Sequence, residues 1–292
     1  MAARGASPDL SIYAPDLSVY AYEDTRQLVA LVCDAAALMA QKGEAAFTDF
    51  QIPGSRWRYG DYYLFAYATD GTCVFNPAEP NLVGQNLIDI HDIGGRWMIR
   101  NIADVARRPE QDADGWVFFL WQDHAQLSPS WKANYIRKVT TPNGKTYALG
   151  CGLFNPKTER IFVKQNVNRA VQLLRREGRA SFERLHDPIF TLLGSYVFVM
   201  DTRGQLLVDP VFPTLEPRDL WDFTDAVGAH VVQDALRLLV HADEIWTTFL
   251  MPPPGSTRPS RKALYLRKIT LGTDVVFVGS DFFLATPIWM RA

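Results

Sequence analysis

Two stretches decide how this chain is organised: residues 134–154, NYIRKVTTPNGKTYALGCGLF, and residues 264–283, LYLRKITLGTDVVFVGSDFF. Each is an apolar, aromatic-rich run, a turn, and a second such run, the composition of an antiparallel hairpin. Tyr135-Ile136-Arg137-Lys138 in the first matches Tyr265-Leu266-Arg267-Lys268 in the second, and Gly150 matches Gly279. The echo continues upstream. KGEAAFTDF from Lys42 returns as REGRASFERL from Arg176, and YYLFAYATDGTCVFNP from Tyr62 returns as SYVFVMDTRGQLLVDP from Ser195. The blocks keep their order, and the interval between partners shrinks slowly along the chain. That pattern is a duplicated domain with a short deletion in the second copy.

Each copy reads as helix first, then strands. Over residues 22–50, Leu28, Val32, Ala35 and Met39 recur at helical spacing. Over residues 158–185, Val163, Val167, Val171 and Leu174 do the same, in a helix that joins the two units and opens the second. Asp70-Gly71 and Arg203-Gly204 each sit between two apolar runs and mark tight hairpins. GWVFFLWQ from Gly115 is a further strand. Sequential hairpins after one long helix predict an α+β fold, not a parallel doubly wound sheet, with an antiparallel sheet of about five strands per unit. The expected organisation is an extension over residues 1–20, a first domain over 21–156 and a second over 157–292. Residues 79–114 read as a long irregular insert, the kind of connection that carries function more often than structure.

The 292 residues suit two domains, and 48 % hydrophobic residues supply a core for each. A formal charge of -2 argues against nucleic acid as a partner, because tracking phosphates needs a basic excess. Cys33, Cys73 and Cys151 form no C-x-x-C and read as buried free thiols. No apolar run reaches the ~18 residues of a membrane span. The N-terminus lacks the apolar core of a leader peptide, so the chain is either cytosolic or has lost a leader.

Catalytic motifs are missing. There is no G-x-S-x-G, no phosphate loop and no dinucleotide fingerprint. The five histidines are scattered, and Asp89 and Asp92 read as solvated or capping residues. No nucleophile, base and orienting group assemble, and no metal or cofactor is expected. What stands out is aromatic residues interleaved with cations and amides in the first copy. Arg56, Trp57, Tyr62 and Tyr63 precede Phe65; Trp116, Phe118 and Trp121 share a strand; Lys132, Asn134 and Tyr135 share another. A cation walled by rings, with amide donors beside it, suits a small carboxylate. The second copy keeps tyrosines at 196 and 265 but has LHDPIFTLLGS where the first has its Arg-Trp stretch. The expectation is therefore that the architecture was duplicated while the pocket stayed with the first domain, so that Lys262 is dispensable for binding. Two rival readings stand beside the binding one: an enzyme acting on a small organic acid, and a ligandless scaffold that pairs through its long helix.

In their order, KGEAAFTDF, SRWRYGDYYLFAYATDGTCVFNP, PNLVGQNLIDIHDIGG, GWVFFLW, SPSWKANYIRKV and GKTYALGCGLF resemble type 2 Cache domains across residues 22–155. A weaker Cache-like unit covers 166–285. The resemblance implies two PAS-like sheets, each flanked by a long N-terminal helix, and a periplasmic or other extracytoplasmic role in sensing small ligands, often organic acids. It places the pocket over the sheet beneath the insert, at Arg56, Trp57, Tyr62, Tyr63, Phe65, Asn76, Trp116, Phe118, Lys132, Asn134 and Tyr135. Relatives often carry His where Asn76 stands. It also implies a membrane-bound signalling partner and homodimers through the long helices. The kinase or chemotaxis region to which such domains are commonly fused is not in this chain.

Overall fold

The computed structural model describes residues 10–122 and 127–284. The chain forms two compact units that part between Pro156 and Lys157.

In the first unit, helix α1 spans Glu23–Lys42. Glu23 and Asp24 occupy its first turn, where carboxylates face the positive end of the helix dipole. Leu28, Val32, Ala35 and Met39 are fully buried. The helix stops earlier than the periodicity predicts. Gly43 takes a φ of +62° and its N–H caps the Met39 carbonyl, a conformation open to glycine at little cost. A 3-10 turn and a short helix, Phe47–Phe50, continue the chain. The second unit repeats this device. Helix α3, Arg160–Glu177, which follows α2 (Met98–Arg107) of the first unit in chain order, ends where Gly178, at φ +67°, caps Leu174.

The first unit's sheet comprises β1 (Phe65–Ala68), β2 (Cys73–Phe75), β3 (Asp114–Trp121), β4 (Ser130–Thr140) and β5 (Thr146–Phe154). Its order is β2-β1-β5-β4-β3, with every neighbour antiparallel. The second sheet has β6 (Phe198–Asp201), β7 (Gln205–Val208), β8 (Arg218–Asp219), β9 (Glu244–Met251), β10 (Ser260–Leu271) and β11 (Asp274–Phe283). Its order, β8-β7-β6-β11-β10-β9, is the same path plus the two-residue edge strand β8. The α+β reading holds in both units.

The insert is not irregular. It carries helix α2, Met98–Arg107, whose Ile99, Ile102, Val105 and Ala106 pack against Phe65, Tyr67, Val117, Phe119 and Ile136. The second unit has its counterpart in α4, Val231–Leu239. Each sheet is therefore covered twice, by the long helix on one face and the short helix on the other. An aspartate staples the loop before each short helix to the sheet. Asp92 Oδ1 accepts from the Gly94 and Arg96 amides at 2.9 Å, and Oδ2 accepts from the Leu120 amide of β3 at 2.8 Å. Asp225 accepts from the Val227, Ala229 and Leu250 amides at 2.9–3.0 Å. Asp92 is thus a buried clamp, not a solvated residue. Cys33, Cys73 and Cys151 are buried free thiols.

Candidate functional site

Side chains on a strand alternate between faces, and here that alternation divides the expected site. On β3, Trp116 lies on the α1 face: its indole donates to the Tyr20 hydroxyl at 3.2 Å, and Phe118 and Tyr135 pack beside it. Val117, Phe119 and Trp121 face α2 instead. On β4, Lys132 and Asn134 point to that same face, with Tyr135 on the other. The segment before β1 also stays apart. Arg56 is exposed, pairs with Asp34 of α1 and lies 4.5 Å over Trp57, which packs on Phe50. Tyr62 stacks on Tyr59 and donates to the Asp24 carbonyl. So six of the expected residues meet around one cavity under α2: Tyr63, Phe65, Asn76, Trp121, Lys132 and Asn134. Arg56, Trp57, Tyr62, Trp116, Phe118 and Tyr135 are not brought to it.

That cavity measures about 20 Å³, room for a water. Lys132 dominates it. Its side chain is 3 % exposed, and its Nζ donates to the Tyr63 hydroxyl at 2.5 Å. The Tyr63, Phe154 and Phe65 rings surround it at 4.2, 4.9 and 5.9 Å, a cation–π cage. Among the described residues no carboxylate lies at ion-pairing distance. Burial therefore pushes the ammonium down to about 8, with Cys151, Glu79 and Asp61 opposing at longer range. Asn134 donates to the Val117 and Lys132 carbonyls at 3.2 Å, while its Oδ1 is buried without a partner. Gly152 makes the arrangement feasible: a Cβ there would meet Asn134 Oδ1 at 2.3 Å and Lys132 Cε at 2.5 Å.

The second unit holds a cavity in the same place, and it is the larger one, about 220 Å³. The registers establish the equivalence. Lys132 pairs with Phe119 and Phe154, and Lys262 pairs with Phe249 and Phe283. Tyr196 and Phe198 stand for Tyr63 and Phe65. The volumes differ because Met200, Ala235 and Met251 occupy the positions of Tyr67, Ile102 and Trp121. Contrary to expectation, then, the duplication carried the cavity with it, and the first copy is the one whose cavity its own side chains fill.

The charged groups that line the second cavity, Arg218, Lys262 and Asp281, are all in ion pairs, Arg218 with Asp209 outside the lining. Lys262 Nζ lies 2.7 Å from Asp281 Oδ1, and both side chains are mostly buried. Arg218 Nη2 lies 2.6 Å from Asp209 Oδ2, and Asp209 is fully buried. Arg218 Nε is buried without a hydrogen-bond partner. Burial pushes the Asp281 carboxyl up, against the pull of Lys262. Burial pushes the Tyr196 hydroxyl, on the cavity wall, up to about 12; Asp281 and Asp209 add to the rise and Arg218 opposes it. Reading the sequence for aromatics beside cations missed Arg218, Asp281 and Lys262. The signal that could have found them is the repeat itself, which aligns Lys262 with Lys132 and Asp209-Pro210 with Asn76-Pro77.

The sequence matches the family described as Single Cache domain 2 over residues 39–143 and again over 162–282. No curated protein matches the chain. Among solved structures, a methyl-accepting chemotaxis protein from Vibrio parahaemolyticus RIMD 2210633 is similar at 20 % identity and a TM-score of 0.36, over 45 % of this chain and 88 % of that one. A periplasmic sensor domain of a chemotaxis protein is similar at 22 % identity and 0.33, over 42 % and 88 %. A Cache chemosensory domain solved for its carboxylic acid recognition is similar at 19 % identity and 0.32, over 41 % and 81 %. Among the described residues no helix is long and apolar enough to cross a membrane.

Proposed function

The chain belongs to the Single Cache domain 2 family through both of its halves, and from that premise we propose that it is a non-catalytic sensor of a small organic molecule, with its ligand chamber over the sheet of the second domain. One observation carries the choice of domain: on two equivalent frames, about 220 Å³ is open in the second and about 20 Å³ in the first. An apolar chamber with a few convergent polar groups is the usual form of a small-molecule site, and this one, at about 220 Å³, is smaller than a drug-sized pocket, as suits a small metabolite. The non-catalytic reading is supported by the pairing of its titratable groups, which leaves none poised as a base. The same proposal includes an extracytoplasmic location and a membrane-bound signalling partner, and membership of a sensor family supports both. Pairing of two copies through the long helices belongs to the same proposal.

A second site within this reading rests on Lys132. A buried ammonium caged by rings, with no carboxylate at pairing distance among the described residues, is a charge in want of an anion. It supports a carboxylate in the first domain, admitted when α2 lifts from the sheet.

Thermal melting of the full chain against small carboxylates and amino acids tests both. A ligand at 100 times its dissociation constant stabilises by about 2.7 kcal/mol, enough to read as a shift. The second-domain chamber predicts that Met200→Tyr/Ala235→Ile/Met251→Trp, which gives it the first domain's filling, abolishes the shift while Lys132→Ala preserves it. The reverse pattern moves the ligand to Lys132. Consumption of the ligand on incubation would make the protein an enzyme and end the sensor reading.

A further inference from the structure

The two cavities share a frame but differ in charge balance. In the first, Lys132 is the one charged group of the lining. The positions of Asp281, Asp209 and Arg218 are held there by Gly152, Asn76 and Gln85, none of them charged. In the second, Lys262 is offset by Asp281 within the lining and Arg218 by Asp209, which lies outside it, and these four equivalent positions together are neutral. An added anion would leave an uncompensated negative charge in an apolar chamber and would have to compete with Asp281 for Lys262 or with Asp209 for Arg218. Burying an unpaired charge is strongly unfavourable. A ligand that brings one charge of each sign leaves the balance intact and exchanges ion pairs without stranding a group.

We infer that the second-domain cavity receives a small zwitterion with an apolar body, an α-amino acid with an aliphatic or thioether side chain, in preference to a simple carboxylate. This rests on the reading that the ligand chamber lies in the second domain. The ligand carboxylate takes Arg218, whose buried Nε lacks an acceptor, together with Lys262. The ligand ammonium takes Asp281, which that exchange frees from Lys262. Tyr196, on the cavity wall, offers a hydroxyl that can donate to one end of the ligand or accept from the other. Val232, Phe249 and Leu264 wall the side chain. No bond is made or broken; the exchange is of ion pairs alone.

The test is calorimetric titration of the full chain, freed of ligand by dialysis under mild denaturant and refolding. The probes are alanine, valine, leucine and methionine, with 4-methylpentanoate and 3-methylbutylamine as the leucine analogues that lack one charge. The expected result is binding of at least one amino acid, with each one-charge leucine analogue at least roughly tenfold weaker than leucine. Asp281→Asn, which keeps the shape of the side chain, should then narrow the gap between leucine and 4-methylpentanoate. The inference is overturned if 4-methylpentanoate binds the unaltered chain as tightly as leucine, or if no amino acid of the set binds. A carboxylate that binds at least as tightly as the best amino acid of the set, and is lost in Met200→Tyr/Ala235→Ile/Met251→Trp, would sink the zwitterion inference and leave the chamber standing. A ligand that still binds this triple variant would sink the chamber reading, and the inference with it.

Discussion

Lys132 is a cost to folding that its surroundings only partly offset. Its ammonium, near 10.5 in water, is pushed down to about 8 by burial. Below pH 8 it is charged in the folded and unfolded states alike, and folding carries the whole desolvation penalty. Between about 8 and 10.5 the unfolded chain holds a proton that the folded chain has shed, so stability rises with pH across that window. The rise is on the order of 3 kcal/mol for a displacement of this size. Denaturant unfolding at intervals across the window should show it in the unaltered protein and not in Lys132→Met, which should also be the more stable of the two at neutral pH. An anion bound beside Lys132 would move the rise to higher pH.

At the scale of elements, the roof over each cavity is held by an aspartate outside the cavity lining. Asp92 joins the loop before α2 to β3 through three amides and lies 3.4 Å from the buried Arg96. Asp92→Ala leaves Arg96 without its carboxylate and the Leu120 amide without its acceptor, a loss of about 3 kcal/mol. Urea unfolding should show that loss as a lower midpoint, and faster amide exchange should appear first in 98–107. Much at this scale is legible in the sequence. The hairpins at Asp70-Gly71 and Arg203-Gly204 form where the turn residues put them, because a turn is a local property. The predicted helices run past their true ends because Gly43 and Gly178 read as tolerable helix residues until their positive φ is seen.

For the whole molecule, the asymmetry between the copies extends to their chemistry. All three cysteines lie in the first domain, and burial pushes each thiol up to about 11. A disulfide reagent near neutral pH should find no reactive thiol in the native chain and all of them after denaturation. The rate of their release therefore reports the opening of the first domain. A ligand held in the second-domain chamber should raise the melting temperature and leave that rate unchanged; one held at Lys132 should slow it.

The sequence by itself determined the duplication, the α+β class, the hairpins and the burial of the thiols, because each is written in local pattern or in the repeat of a pattern. It also named six residues that do meet around one cavity. Only the tertiary structure decided that Trp116, Phe118 and Tyr135 face the other way, since strand alternation sorts residues into faces only once the helices above and below the sheet are in place. Only the tertiary structure decided which copy is open. A void is the difference between the space that distant elements enclose and the side chains that fill it, and here that difference comes down to Met200, Ala235 and Met251 against Tyr67, Ile102 and Trp121.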